Sequence, residues 1–323
     1  MKRHLVSLLA VCTIMISCFF SQQCLAETLA FRPQWAPQSQ FAGFYAAAEK
    51  GFYAQEGIDL EIKGGGPGID ALDEVAGGKS TFATGWLISA MKVKASGKEI
   101  VNICQLIQKS ALVLVARKDS GIKTVDDLAG KSIGIWPGDF QVPPRTLSSM
   151  KNIEVSFVDQ GFSLDAFVQG EMDVCSAMAY NELLVLLDRH FKYDDLTVLS
   201  YHDVGMNFPE DGIYVSRSFL ENHPEACAAF VRATIKGWKY AFANPDEIAR
   251  LITDKANQTE FKTTFAHQKA MLQAMEGLLT FRVGPDGIGD LLKKDFDFVY
   301  MVLDHSRQID NPFTYEDFFK KVR

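Results

Sequence analysis

Ser132-Ile133-Gly134-Ile135-Trp136 is an apolar run stopped at once by Pro137-Gly138, and the residues from Pro143 to Met150 then turn helical. A run that short, bounded by turn formers, is the pattern of a buried strand. Ile153 to Val158 follows as a second strand. Ser163 to Gly170 reads as a helix with Ser163 as its cap and Gly170 past its end. Asp173 to Met178 is a third strand and Glu182 to Arg189 another helix. Strands that alternate with helices, with no hairpin turns between them, predict an α/β architecture of mostly parallel sheets covered by helices on both faces.

The same rhythm extends toward the N-terminus. Thr28 to Trp35 reads as a strand. Phe41, Phe44, Tyr45 and Ala48 fall at i, i+3, i+4 and i+7, one apolar helical stripe closed by Lys50 and Gly51. Residues 58–62 alternate as a strand, residues 64–68 form a glycine loop, and residues 69–76 a short helix. Residues 82–91 carry a strand end and a helix start, residues 111–116 are β-formers, and residues 124–128 make a capped helical turn. After Ile213-Tyr214-Val215 the pattern is helical over residues 224–243, 246–254, 266–279 and 290–305. No linker rich in Pro, Gly or Ser divides the chain, so two lobes joined by crossing strands are expected rather than beads on a string. The expected division is residues 27–117 with 212–323 as the first lobe, its C-terminal helices packed back on it, and 118–211 as the second. Hinges are expected near Val115–Arg117 and Gly205–Asp211.

Residues 1–26 have the three parts of a secretory signal: Met1-Lys2-Arg3, an uncharged apolar stretch from Leu5 to Phe20, and Cys24-Leu25-Ala26 with small residues at the cleavage positions. Met15-Ile16-Ser17-Cys18 is an imperfect lipoprotein motif that leaves a lipid anchor at Cys18 open. A periplasmic location follows as the expectation. Removal of residues 1–26 leaves 31 basic against 40 acidic side chains, a net charge of −9. That balance, without any basic run, argues against nucleic acid as a partner. Of the remaining cysteines, Cys104, Cys175 and Cys227 have no CxxC spacing and read as buried thiols, with one disulfide still allowed by an oxidising compartment.

Candidate chemistry is sparse. Gly77-Gly78-Lys79-Ser80 lacks the first glycine of a phosphate loop, because position 73 is Asp73. Residues 64–68 are no dinucleotide fingerprint, although backbone N–H groups near Ile69 remain available to a cleft. His190, His202, His223, His267 and His305 form no metal-ligand spacing, and no nucleophile elbow occurs. Catalysis, a metal and a cofactor therefore have no support in the residues. Trp35, Trp86 and Trp136 each lie where a strand runs into a loop or helix, the place where open α/β sheets bind ligands. Indole faces stack on flat heteroaromatic rings, and carboxylates or amides meet the ring nitrogens. For any one Trp, core packing is the plain alternative. Tyr180-Asn181-Glu182 follows a strand and is either a hydrogen-bonding cluster or a helix start capped by Asn181. Acids rather than arginines favour an amine-bearing ring over a sulfonate. Arg145, close to the Trp136 loop, keeps an anion open.

Several segments together resemble a known family. Gln34-Trp35-x-Pro37, Phe41-Ala42-Gly43-Phe44-Tyr45-x-Ala47 and Glu49-Lys50-Gly51-Phe52-Tyr53 are similar to the opening of ABC-transporter binding proteins of the thiamine-pyrimidine and sulfonate group. Asp127-Leu128-x-Gly130-Lys131, Trp136-x-Gly138, Met178-x-Tyr180-Asn181-Glu182, Glu210-Asp211-Gly212-Ile213-Tyr214 and Lys236-Gly237-Trp238-Lys239-Tyr240-Ala241 continue the match in order. The resemblance implies a two-lobed type II periplasmic-binding-protein fold and a monomer that delivers a small-molecule ligand to a membrane permease and its ATPase. The ligands it implies are a thiamine-precursor pyrimidine or, alternatively, a riboflavin-like flavin or a sulfonate. Carried over by motif, the ligand contacts are Trp35, Tyr45, Trp86, Trp136, Gly138, Tyr180, Glu182 and Asp211. Trp136-Pro137-Gly138-Asp139-Phe140 departs from the Gly-Gly-Asn form of related chains. The same family holds a fungal pyrimidine-building enzyme, which needs a His where this chain has Phe41 and a cysteine-rich run where it has Met206-Asn207-Phe208-Pro209. Similar domains also occur in membrane sensors, so a sensing domain that docks on one is a further expectation, weighed against by the ending at Arg323.

Overall fold

The computed structural model describes residues 28–322. The signal segment and Cys18 lie outside the described residues. Ten strands form two five-stranded sheets. The first contains β1 (Leu29–Arg32), β2 (Leu60–Ile62), β3 (Phe82–Trp86), β4 (Ile100–Gln105) and β10 (Asp211–Ser216), in the order β2-β1-β3-β10-β4. The second contains β5 (Leu112–Arg117), β6 (Ser132–Ile135), β7 (Ser156–Asp159), β8 (Val174–Met178) and β9 (Leu196–Ser200), in the order β7-β6-β8-β5-β9. In each sheet four strands run one way. The exception is the strand that follows a crossing: β10 is antiparallel to β3 and β4, and β5 to β8 and β9. The inner strands β3 and β8, and the edge strand β4, are buried along their whole length, as expected of strands covered on both faces.

The placement of β5 corrects the expected division. Its ladder to β8 and β9 puts Leu112–Arg117 in the second sheet. The chain therefore crosses between sheets over residues 106–111 and returns over residues 201–210, and the first crossing lies ahead of the expected hinge at 115–117. A run such as Leu112-Val113-Leu114-Val115-Ala116 is apolar enough for either sheet, so its partners cannot be read locally. The helix expected at 163–170 is shorter, Asp165–Val168, and Gly170 follows with φ +80. The Ser163 hydroxyl accepts from the Asp165 N–H at 3.1 Å. The helix expected at 69–76 begins at Ala71, where the Asp70 carboxylate accepts from the Asp73 N–H.

The C-terminal helices cover the first sheet. Helix Pro224–Ala243 crosses helix Ala42–Glu49 at two glycines, where the backbones touch. A β-carbon on Gly237 would run into the Gly43 carbonyl oxygen and meet the Ala47 β-carbon at 2.8 Å, and one on Gly43 would strike the Trp238 ring. Helix Lys293–His305 packs on helix Leu87–Ala95, and the Lys320 N–H donates to the Asn102 carbonyl on β4 at 2.9 Å. Cys104, Cys175 and Cys227 are each buried. Among the described residues no helix is long and apolar enough to cross a membrane.

Candidate functional site

Three strands end in the tryptophans singled out above. β3 closes on Trp86, and Trp35 and Trp136 follow β1 and β6 by a few residues. Trp86 and Trp136 are buried and Trp35 is half-buried. The glycine loop backs Trp35: a β-carbon on Gly65 would clash with the carbonyl oxygens of Pro33 and Trp35, so only glycine permits this approach. The Trp136 indole N–H donates to the Gly161 carbonyl at 3.1 Å, which fixes the ring against the loop after β7.

Opposite Trp86 in the β3–β10 ladder stands Asp211, the first residue of β10. It is 2% exposed. The Gln34 amide donates to one carboxylate oxygen, and the Gln40 amide donates to the other at 2.7 Å. Burial pushes its carboxyl up to about 7, with the two amides pulling the other way. Its neighbour Glu210 ties the two crossings together. One Glu210 oxygen accepts from the Ala111 N–H at 2.7 Å, the Leu112 N–H at 3.1 Å and the Ser110 hydroxyl at 3.2 Å, while the other oxygen is buried without a partner. Burial, and then the charge of Asp211, raise Glu210 to about 8. Asn207 and Gln108 add hydrogen bonds between the same two segments.

Tyr180 and Glu182 complete the acidic side. Tyr180 is buried, and burial followed by the nearby charges of Asp211, Glu210 and Glu182 raises its phenol well above the ordinary value. Glu182 accepts from the Met178 N–H at 2.8 Å and the Asn181 amide at 2.7 Å, and burial raises its carboxyl. Asn181 occupies the cap position but makes no side-chain cap bond. Its Oδ1 instead lies 2.9 Å from His267 Nε2, on the helix Phe265–Leu279. Burial, then the Arg189 charge, lower the His267 imidazole.

Three further contacts, among others, join the lobes. The Lys92 ammonium donates to the Asp139 carboxylate at 2.5 Å. Phe140 stands edge-on to Trp86, ring centres 4.4 Å apart, and to Trp136 at 5.5 Å. Phe162, 74% exposed, lies 5.6 Å from Trp35. Gly138, at φ +73, turns the chain into the segment that carries Asp139 and Phe140.

The structure thus brings together Trp35, Trp86, Trp136, Gly138, Tyr180, Glu182 and Asp211. Tyr45 is not with them. It lines a pocket of about 350 Å³ with Leu60, Ile62 and Lys255, whose ammonium sits 5.6 Å from its ring. The family resemblance put Tyr45 among the ligand contacts; the helical stripe it belongs to marks an apolar face, and that face is in the core of the first lobe. Arg145 is also elsewhere: it hydrogen-bonds Gln141 at 2.8 Å and stacks on Phe157 at 4.7 Å. Sequence reasoning missed Gln40, Phe140, Phe162 and His267. Gln34 and Glu210 carried a signal, as immediate neighbours of Trp35 and Asp211. Among the described residues no group of three or more His, Cys, Asp and Glu is placed to hold a metal ion.

Comparison with known proteins bears on this site. The riboflavin-binding protein RibY of Chloroflexus aurantiacus is 30% identical over 66% of this chain and 62% of its own length, under two thirds of that relative. The formylaminopyrimidine-binding protein of Halalkalibacterium halodurans is 23% identical over 98% of both chains. A 4-amino-5-hydroxymethyl-2-methylpyrimidine phosphate synthase of Legionella pneumophila is 22% identical over 86% of each. Among solved structures, the periplasmic aliphatic sulphonate binding protein SsuA of Escherichia coli superposes with a TM-score of 0.71 over 92% of this chain and 93% of that one, at 14% identity. The two-sheet architecture is therefore that of periplasmic binding proteins. With residues 38–248 matching the model described as "NMT1/THI5 like", the chain belongs to the NMT1/THI5-like family.

Proposed function

We propose that this protein is the extracytoplasmic binding component of an ABC importer, and that it holds a small heteroaromatic metabolite, a thiamine-precursor pyrimidine, between its lobes. One observation carries the reading: a carboxylate, Asp211, that is 2% exposed and held by two amides stands opposite Trp86 in the β3–β10 ladder, one of those amides precedes Trp35, and Phe140 links Trp86 to Trp136. A buried acid with no cation beside it is costly. A ring bearing N–H groups relieves that cost, and the aromatic walls supply stacking of about 0.5–1.5 kcal/mol per pair beyond burial. The similarity to a formylaminopyrimidine-binding protein along nearly the whole chain supports the same ligand class. The engaged Arg145 counts against the sulfonate alternative. Delivery to a permease and its ATPase, a periplasmic location and a monomeric state belong to the same proposal. Binding without catalysis is favoured over the synthase activity named for some relatives, because Phe41, where the resemblance requires a His, is a fully buried core residue.

The test is a thermal-shift screen of residues 27–323 against aminopyrimidines, thiamine, riboflavin, taurine and alkylsulfonates, with tryptophan fluorescence as a second readout. Ligand that binds only the folded state raises the melting temperature. A rise with quenching for aminopyrimidines is expected. A response confined to sulfonates would overturn the reading.

A further inference from the structure

We infer that Phe140 sets the upper size of the ring this cleft accepts, and that it selects a single-ring ligand over a fused three-ring flavin. The inference deepens the binding function proposed above and rests on it. The relatives named for a pyrimidine and for riboflavin pose the question, because one ligand has a single ring and the other three fused rings with a ribityl chain.

A ring hydrogen-bonded to Asp211 lies beside Trp86, its partner in the β3–β10 ladder. A wider ring system continues from there toward Trp136 in the second lobe. Phe140 stands in that path, edge-on to Trp86 at 4.4 Å and 69°, and to Trp136 at 5.5 Å and 72°. A flat ring needs about 3.5–4 Å to each neighbouring surface, and the phenyl group takes that room. Phe140 is also held in place. Gly138 makes the preceding turn at φ +73, Asp139 is paired with Lys92 on helix Leu87–Ala95, and Gln141 leads directly into helix Val142–Lys151 with Pro143 and Pro144 in its first turn. These contacts fix the backbone that carries the ring on both sides. The departure of Trp136-Pro137-Gly138-Asp139-Phe140 from the smaller residues of related chains thus falls at the position that limits width.

The experiment is calorimetric titration of the wild type, Phe140→Ala and Phe140→Leu with 4-amino-5-hydroxymethyl-2-methylpyrimidine and with riboflavin, each variant's fold being checked by circular dichroism and melting temperature. The wild type should prefer the pyrimidine. In Phe140→Ala the ratio of the two dissociation constants should move toward riboflavin by about tenfold or more, and Phe140→Leu should shift it less. A ratio unchanged in folded variants that bind both compounds, or a wild type that already prefers riboflavin, overturns the size limit and leaves the binding function standing. Failure of all three forms to bind either compound removes the binding function, and the size limit with it.

Discussion

Glu210→Gln separates a buried charge from the hydrogen bonds around it. Glu210 is 1% exposed, and its ionisation moves from 4.5 to about 8. A folded-state value raised above the unfolded one means that the native protein binds more protons between the two. The stability tied to Glu210 is therefore fully present below about 4.5 and is lost as pH rises through about 8. At about 1.36 kcal/mol per unit, the interval from pH 5 to pH 8 corresponds to about 4 kcal/mol. Titration shared with Asp211 spreads part of that over the pair, so about 2–4 kcal/mol is expected. Glutamine keeps an oxygen for the Ala111 and Leu112 N–H groups and the Ser110 hydroxyl, but it never ionises. Urea unfolding of both proteins at pH 5, 7 and 9 should show them within about 1 kcal/mol at pH 5, with the variant gaining about 2–4 kcal/mol over the wild type by pH 9. A difference that stays flat or shrinks with pH would refute the claim that Glu210 is held protonated at the crossing.

Two further outcomes follow from packing. Gly237→Ala places a methyl group against the Gly43 carbonyl and Ala47, and should lower unfolding free energy by about 2–3 kcal/mol in denaturant titration; an unchanged midpoint would mean that the two helices part easily. Trp35→Ala should weaken binding of the aminopyrimidine by about tenfold in fluorescence or calorimetric titration with little loss of melting temperature, since the ring is half-buried, and equal affinity would take Trp35 out of the site.

Much of this architecture was legible because its signals are local. The stop at Pro137-Gly138 and the helix that follows are encoded within a few residues of Ile135, and the same holds for each tryptophan at a strand end. β5 was misassigned for the converse reason. Its run of Leu112 to Ala116 specifies a buried strand and says nothing about which strands lie beside it, and its ladder partners Val174–Met178 and Leu196–Ser200 come some 60 to 90 residues later in the chain. Tyr45 shows the limit of a motif carried over from related chains. The stripe of Phe41, Phe44 and Tyr45 marks an apolar face that packs in the core, whereas the motif alone had set Tyr45 at the ligand.

The missed contacts share one property: each joins segments far apart in the chain, within the first lobe for Gln40 and between the lobes for Phe140, Phe162 and His267. Asn181 and His267 are 86 positions apart, and Gln40 and Asp211 are 171 apart. Asn181 had two local readings, a cap or a polar cluster. The structure chooses a third, because His267 offers a ring nitrogen across the cleft and the cap bond is left unmade. Phe140 was marked only as part of a departure from related chains, and its role was not legible, since a lone aromatic after Pro-Gly-Asp packs anywhere. Its consequence arises only where Trp86 comes from one lobe and Trp136 from the other. Affinity in a two-lobed protein depends on contacts to both lobes at once, because only differential contact shifts open toward closed. Local patterns can therefore mark which residues line each lobe, whereas the width between the lobes, and with it the choice among rings of similar chemistry, belongs to pairs such as Phe140 and Trp86 that the chain order keeps apart.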